Sequence, residues 1–316
     1  MGQPTPGDVH IDAALTDMSI AYMQGDANFI AGRVFPAKPV DKQTNKYHIF
    51  SKNDWFRDDA VEKRADGTPA PRMGWGMSSD SFDCTPYWTS VPVSEMLRAN
   101  ADPAVPVDVA AMRLVMQRMM IKRDRLFATA FMGTGIWGTD LTPTDLWDDY
   151  GSDPEADIAT GKRTVLTNTG LEPNQLIVSY NVHQALKRHP LIKDRYKFTS
   201  SESITPALLA AFFEVESYEI MKSVYATNVE GAAAAMSFTV GKHALLVYDS
   251  GAASIMEPSA VTQFVWSGLT GANDLGIRID QFFDPNTKED IIRGEFAFDM
   301  KVTGSDLGYF FSGAVS

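Results

Sequence analysis

The sequence predicts an α+β fold, and three observations carry that prediction. Residues 107–132 read as one unbroken helix, residues 170–268 alternate strand and helix in the manner of a compact α/β lobe, and residues 276–302 form two long β-rich runs around a polar turn.

The helix is bracketed by Asp102, Pro103 and Pro106 upstream and by Gly133 and Gly135 downstream, with no Pro or Gly between them. At 1.5 Å per residue it would span ~39 Å, enough to cross most of a small domain. Ala111, Val115, Met119, Leu126 and Ala130 follow an i, i+3 or i+4 track, with Met112, Met116, Met120, Phe127 and Phe131 beside them. Arg113, Gln117, Arg118, Lys122, Asp124 and Arg125 fill the remaining surface. A helix this long, rich in methionine on one side and basic on the other, reads as a scaffold strut rather than a catalytic element.

Ahead of it, residues 1–7 are rich in Pro and Gly, and the short apolar pieces 14–23 and 28–35 are too brief to form a core of their own. They read as an arm lying on something else. In the middle third, residues 157–168 form a helix ending at Gly170, and 174–180 form a buried strand that leads into helix 181–188, stopped by His189 and Pro190. Helix 205–213 follows, with Thr205 as N-cap and Pro206 at its first position. Residues 216–225, 244–248 and 261–266 read as strands. After the terminal β-hairpin (276–284, turn 285–289, 290–302), the apolar residues 309–315 should be tied down rather than trailing.

Residues 46–50 and 80–93 are strand-like, and the stretch between them, 51–79, holds seven charged residues from Arg57 to Asp66 and then Gly67, Pro69, Pro71, Gly74 and Gly76. Its apolar content is too low for an interior, so it reads as a projecting hairpin that finds partners on another chain, the alternative being an ordinary surface loop. Trp55, Phe56, Met73 and Trp75 are the candidate anchors, since aromatic rings dominate contacts formed by exclusion of water, and Arg57 and Arg64 complete the candidate inter-subunit set.

The chain has 316 residues, 44% hydrophobic and 22% charged, with a net charge of -12. That is a globular composition, long enough for two packed lobes. The acidic balance argues against sequence-independent nucleic-acid binding, which needs Lys and Arg on phosphates, although an acidic wall can enclose DNA without gripping it. Cys84 is the lone cysteine, so no internal disulfide forms; it lies beside Asp83 with no basic neighbour and reads as an inert packed thiol. There is no signal-like N-terminus and no apolar run long enough to span a bilayer, so a soluble protein is expected.

A search for chemistry returns no catalytic, cofactor or metal residues. GTGIWG (133–138) matches G-x-G-x-x-G, but a helix precedes it where a strand is needed, so it reads as a glycine hinge. The histidines 10, 48, 183, 189 and 243 lack zinc-site spacing, and His183 and His189 read as surface or capping residues. Asp284, Asn286 and Asp290 resemble the start of a calcium loop, but Lys288 stands at a ligand position, and a hairpin turn explains them better.

The order of parts, together with NFIAGRVFP (28–36), RANADPAVPVDVAAM (98–112), GTGIWGTD (133–140), NVHQALKRHP (181–190), FEVESYEIMKSVY (213–225), GEFAFDMKV (294–302) and LGYFFSGAV (307–315), resembles the major capsid proteins of tailed bacteriophages with the Hong Kong 97 fold. The resemblance implies an N-terminal arm (1–39), an extended β-hairpin loop (40–93), a peripheral domain (94–169 and 269–316) with a spine helix (107–132), and an axial domain (170–268). It implies a structural protein that assembles with copies of itself into hexamers and pentamers of an icosahedral head. That head would enclose double-stranded DNA without sequence-specific binding, sit in the virion and be assembled in the host bacterial cytoplasm. A separate scaffolding protein, or a segment removed earlier, is implied by the short arm, with a portal and decoration proteins as further partners; no membrane is involved. An encapsulin-like compartment is the alternative. Lys42, Lys46, Lys52 and Lys63 match no cross-linking motif of the family, so no covalent link is carried over.

Overall fold

The structure, a computed structural model, describes residues 24–59, 61, 63, 66, 67, 69, 72–101, 107–196, 204–251, 257–268 and 276–316. The arm pieces before residue 24, Arg64, and the prolines ahead of the long helix lie outside the described residues. In chain order, short 3-10 turns aside, the elements are β1 (Ala37–Val40), β2 (Thr44–Phe50), α1 (Lys52–Trp55), β3 (Met77–Asp83), β4 (Thr85–Ser94), α2 (Glu95–Asn100), α3 (Val107–Phe131), β5 (Thr139–Leu141), α4 (Pro154–Thr169), β6 (Gln175–Ser179), α5 (Tyr180–Arg188), α6 (Pro190–Tyr196), α7 (Pro206–Phe212), β7 (Ser217–Met221), β8 (Val224–Ala226), β9 (Met236–Phe238), β10 (Ala244–Val247), β11 (Val261–Trp266), β12 (Ile277–Asp284), β13 (Glu289–Val302) and β14 (Gly308–Phe311).

β13 is the axis of the first sheet. Phe298 lies opposite both Thr85 of β4 and Val265 of β11, while Phe296 lies opposite both Tyr87 and Ile277. β4 therefore runs along one side of β13, and β12 and then β11 share the other. β1 joins in parallel on β11, with Ala37 opposite Gln263. α3 packs against β13 and β4. The approach is close at Gly294, where an added Cβ would sit 2.2 Å from the Met119 sulfur and 2.5 Å from a Val115 methyl.

The buried stripe of α3 steps by four residues through Ala111, Val115, Met119, Arg123, Phe127 and Phe131. Each such step drifts about 40° round a helix of 3.6 residues per turn, so the stripe winds as the helix crosses the sheet. Leu126 and Ala130 are only half-buried and Met112 is exposed, contrary to the expected face. Asp124, assigned by its charge to the polar surface, is buried. The reason is the segment 28–36: Asp124 Oδ1 accepts from the Ala31 N–H at 3.1 Å, and Gln263 Nε2 donates to the Ala31 and Phe35 carbonyls at 2.6 and 3.3 Å. Arg123 in turn donates to Gln263 Oε1 at 2.8 Å and lies over the Phe298 ring. Phe35 stacks on Phe127 and meets Phe131 edge-on, so this part of the arm is integral to the core of its own chain.

The second sheet runs β5-β14-β10-β6-β7 and is buried on both faces. Alternate residues divide between two cores, as a strand's two-residue period dictates. Ile177, Leu245, Val247 and Phe310 face the core shared with α3 and the first sheet. Leu176, Val178, Leu246 and Phe311 face a second core with Trp147, Ile158, Leu186 and Leu209. The tail at 308–311 is tied down between β10 and β5, as expected.

Some elements depart from the expectation. β11 pairs with β13 and β1 in the first sheet rather than with β6 and β10 of the expected 170–268 lobe, because pairing partners are not encoded in a strand's local pattern. The helix expected at 157–168 begins at Pro154, with Asp153 capping it by accepting from the Ala156 N–H. Pro190 opens a further helix, α6, rather than only ending α5. The strand expected over 216–225 is interrupted between Met221 and Val224.

Candidate assembly surface

The ribbon β2–β3 grows from one anchored root. Phe82 stacks on Phe264 of β11 with ring centroids 4.3 Å apart and planes 11° apart, Tyr47 tilts against the same ring, and buried Cys84 donates its thiol to the Phe264 carbonyl at 3.5 Å. Burial pushes the Cys84 thiol up to about 12, with Asp299 and Asp83 adding to the shift, which keeps it an inert packed group. Across the ribbon Tyr47 donates to Asp80 Oδ2 at 3.0 Å. Burial raises the Tyr47 phenol, and the backbone N–H of Ser81 followed by the Tyr47 hydroxyl holds Asp80 below the usual carboxylate range.

Beyond this root no described side chain of the two strands is fully buried. Phe82 is the single buried side chain of β2 and β3. At the far end the Ser51 N–H donates to the Gly76 carbonyl, and Asp54 Oδ2 accepts from the Gly76 N–H at 2.8 Å, closing the turn around α1. Trp55 and Trp75 flank Phe50 with centroids 5.9 and 5.5 Å away. Trp55, Phe56, Met73 and Trp75 are 59 to 66% exposed. Arg57 is exposed as well, whereas Arg64 lies outside the described residues. A two-stranded ribbon with so little buried is marginal by itself, and this one also presents four large apolar side chains to solvent.

The ribbon also touches its own body, which the sequence did not reveal. Lys52 pairs with Asp306 at 2.5 Å, and the Phe56 ring lies beside Gly170, within 3.3 Å of where a Cβ would stand. Between ribbon and body is a groove of about 820 Å³, with Tyr47, Phe50, Trp55 and Phe56 on one wall and residues 169–171 and 303–307 on the other.

The segments considered for chemistry have structural roles. In 133–138, Trp137 is buried and donates its indole N–H to the Phe131 carbonyl at 2.7 Å, Gly135 takes φ of 78°, and the Gly138 N–H donates to the Ser305 carbonyl. These contacts turn the chain out of α3. His183 and His189 are buried, not surface residues: His183 Nδ1 meets the Tyr218 hydroxyl at 3.1 Å, and His189 caps α5 with its ring 3.4 Å from Ser152 Oγ. Burial pushes His183 down to about 4, with the Lys187 and Lys222 charges assisting. At the terminal hairpin turn Asn286 donates its N–H to Asp284, and Asp290 pairs with Arg98, which also holds Asp108. Among the described residues no cluster of metal-binding side chains occurs, and no helix is long and apolar enough to cross a membrane.

No protein-family model matches the chain. It is similar to the major capsid protein of Burkholderia phage BcepMu, 24% identical over 222 residues that cover 69% of this chain and 71% of the relative. It is also similar to the major capsid protein of Pseudomonas phage JBD67, 26% identical over 315 residues and 97% of each chain. Among solved structures, a phage-related protein from Bordetella bronchiseptica RB50 superposes with a TM-score of 0.70 at 25% identity, over 96% of this chain and 97% of that one. The capsid of cyanophage P-SCSP1u gives 0.60 at 11% identity, over 98% and 94%. The SrpI encapsulin of Synechococcus elongatus PCC 7942 gives 0.54 at 13% identity, over 96% and 95%.

Proposed function

We infer that this chain is the shell-forming subunit of a phage head. Its homologues are phage major capsid proteins, its fold is the Hong Kong 97 type of tailed-phage capsids, and it is a structural protein, not an enzyme. It assembles with copies of itself and is a component of the virion. The observation that carries the reading is the β2–β3 ribbon, a built arm on which Trp55, Phe56, Met73 and Trp75 are exposed.

In the finer arrangement we propose, subunits form hexamers and pentamers of an icosahedral shell around double-stranded DNA, assembled in the host bacterial cytoplasm with a separate scaffolding protein, a portal and decoration proteins. Residues 1–39 act as the arm, 40–93 as the extended loop, 94–169 and 269–316 as the peripheral domain, and 170–268 as the axial domain. Trp55, Phe56, Arg57, Arg64, Met73 and Trp75 contact a neighbouring subunit, so that many weak contacts add up to a lattice. The net charge of -12 suits a wall that encloses DNA without holding it.

Replacing residues 51–79 by a short turn tests the reading. The subunit is expected to fold and stay soluble without forming closed shells in electron micrographs; particles of normal size would overturn the role of the ribbon. The likeness to SrpI encapsulin favours a second reading, a protein-filled compartment. Purified particles holding cargo protein and no genome would decide for it.

A further inference from the structure

The ribbon meets its own body at two seats away from its root, Lys52 on Asp306 and the Phe56 ring on Gly170. Lys52 opens α1 and Phe56 follows its last residue, so one short turn carries both contacts. The body's half of the contact is stiff. Asp306 stands on the 3-10 turn Ser305–Leu307, which is pinned by the Gly138 N–H on the Ser305 carbonyl and by the Tyr248 N–H on the Leu307 carbonyl. Gly170 is the left-handed C-cap of α4, with φ of 71° and its N–H on the Leu166 carbonyl, and α4 packs against that same turn. Having no side chain, Gly170 leaves a flat place on which the ring rests.

The ribbon's half is held lightly. The Lys52 and Asp306 side chains are 44 and 42% exposed, and Phe56 is exposed as well, so water competes for both contacts. Between these seats and the root, the groove of about 820 Å³ is left unfilled. A permanent brace would be packed as protein interiors are packed. Two exposed contacts across an open groove make a fastening that lets go.

We propose that Lys52 and Phe56 form a releasable clasp that folds the ribbon back onto its own subunit, and that the clasp opens before the ribbon covers a neighbour. The inference rests on the part in assembly given to the ribbon above. While the clasp is closed, Phe56 is engaged by the subunit's own surface, and a neighbour must compete with an intrachain contact that needs no second molecule. Only the open fraction is competent to associate, so the clasp sets the subunit concentration at which shells appear.

Lys52→Glu in the full chain tests it, read as the lowest subunit concentration that yields shells by light scattering and electron microscopy. Loss of one exposed ion pair changes the ratio of closed to open chains by up to about 5-fold, so the threshold should fall by about that factor at low salt. Lys52→Asp combined with Asp306→Lys restores the pair with its charges exchanged and should bring the threshold back. A rise in the threshold, no change, or a fall that the exchange does not reverse would overturn the proposal.

A second variant locks the clasp. Lys52→Cys with Asp306→Cys, joined within one chain by a bis-maleimide whose spacer holds a reducible disulfide, should stay folded by circular dichroism yet form no shells until reductant cuts the spacer; Cys84 is buried and does not compete. Normal shells from the bridged chain would overturn the clasp and leave the ribbon's part in assembly standing. Failure of that part would show instead as normal shells from the chain lacking residues 51–79, and would take the clasp's role with it.

Discussion

The β2–β3 ribbon and the β12–β13 hairpin share the same antiparallel pairing but differ in what covers them. In the first, every strand side chain except Phe82 is exposed or half-buried. In the second, β13 buries Ile292, Phe296, Ala297, Phe298 and Met300 beneath α3 and between β4, β12 and β11. The difference lies in the origin of the cover: the chain supplies it to β13, whereas among the described residues the ribbon's tip is exposed. A mutation in one hairpin should therefore register as lost stability, and in the other as lost association.

The largest effect is expected from Phe296→Ala. The ring stacks on Phe298 and Tyr87, and its truncation should lower unfolding free energy by about 3–5 kcal/mol in denaturant titrations of the unassembled subunit. Acidification comes next and acts on the body at α5, outside both hairpins. The His183 imidazole is held down to about 4 in the folded chain against an ordinary 6.5, so the unfolded chain binds the extra proton between those values. Stability is thus intact above about pH 6.5 and declines as pH falls toward 4, by up to ~3 kcal/mol, and His183→Gln should flatten that slope. Asp80 of the ribbon is held below the usual carboxylate range, so it takes up its proton at lower pH than an ordinary carboxylate. Gly294→Ala comes third: its methyl would meet Met119 and Val115, so a loss of about 1–3 kcal/mol is expected from thermal or chemical melts. Trp75→Ala should be the mildest for the free subunit, within about 0.5 kcal/mol, yet should sharply reduce particle yield in sedimentation. A stability loss near that of Phe296→Ala would erase the contrast between the hairpins.

Much of this was legible in the sequence where the signal is local. The bounds of α3, the terminal hairpin with its turn, the Thr205 cap and the tied-down tail follow from capping residues, periodicity and Pro or Gly punctuation. Trp55, Phe56, Met73 and Trp75 are exposed, as their setting among charges and glycines suggests, although exposure alone does not identify what covers them. What escaped is non-local. Arg123 and Asp124 look like surface residues until the 28–36 segment supplies partners for both the helix and Gln263. Likewise β11 reads as a strand without revealing that β13 and β1 flank it, and nothing near Lys52 points to Asp306, more than two hundred residues away.

One last consequence follows from the root of the ribbon. A two-stranded lever is packed against the double-cored block at the Phe82–Phe264 ring pair and around Cys84, with only the Lys52–Asp306 pair and Phe56 beside Gly170 as lighter contacts further out. Bending imposed at the tip would collect at that joint and leave the cores unloaded. Under the proposed assembly, tiles of one shape would then meet at several angles, with flexure at their rims in place of deformation at their centres.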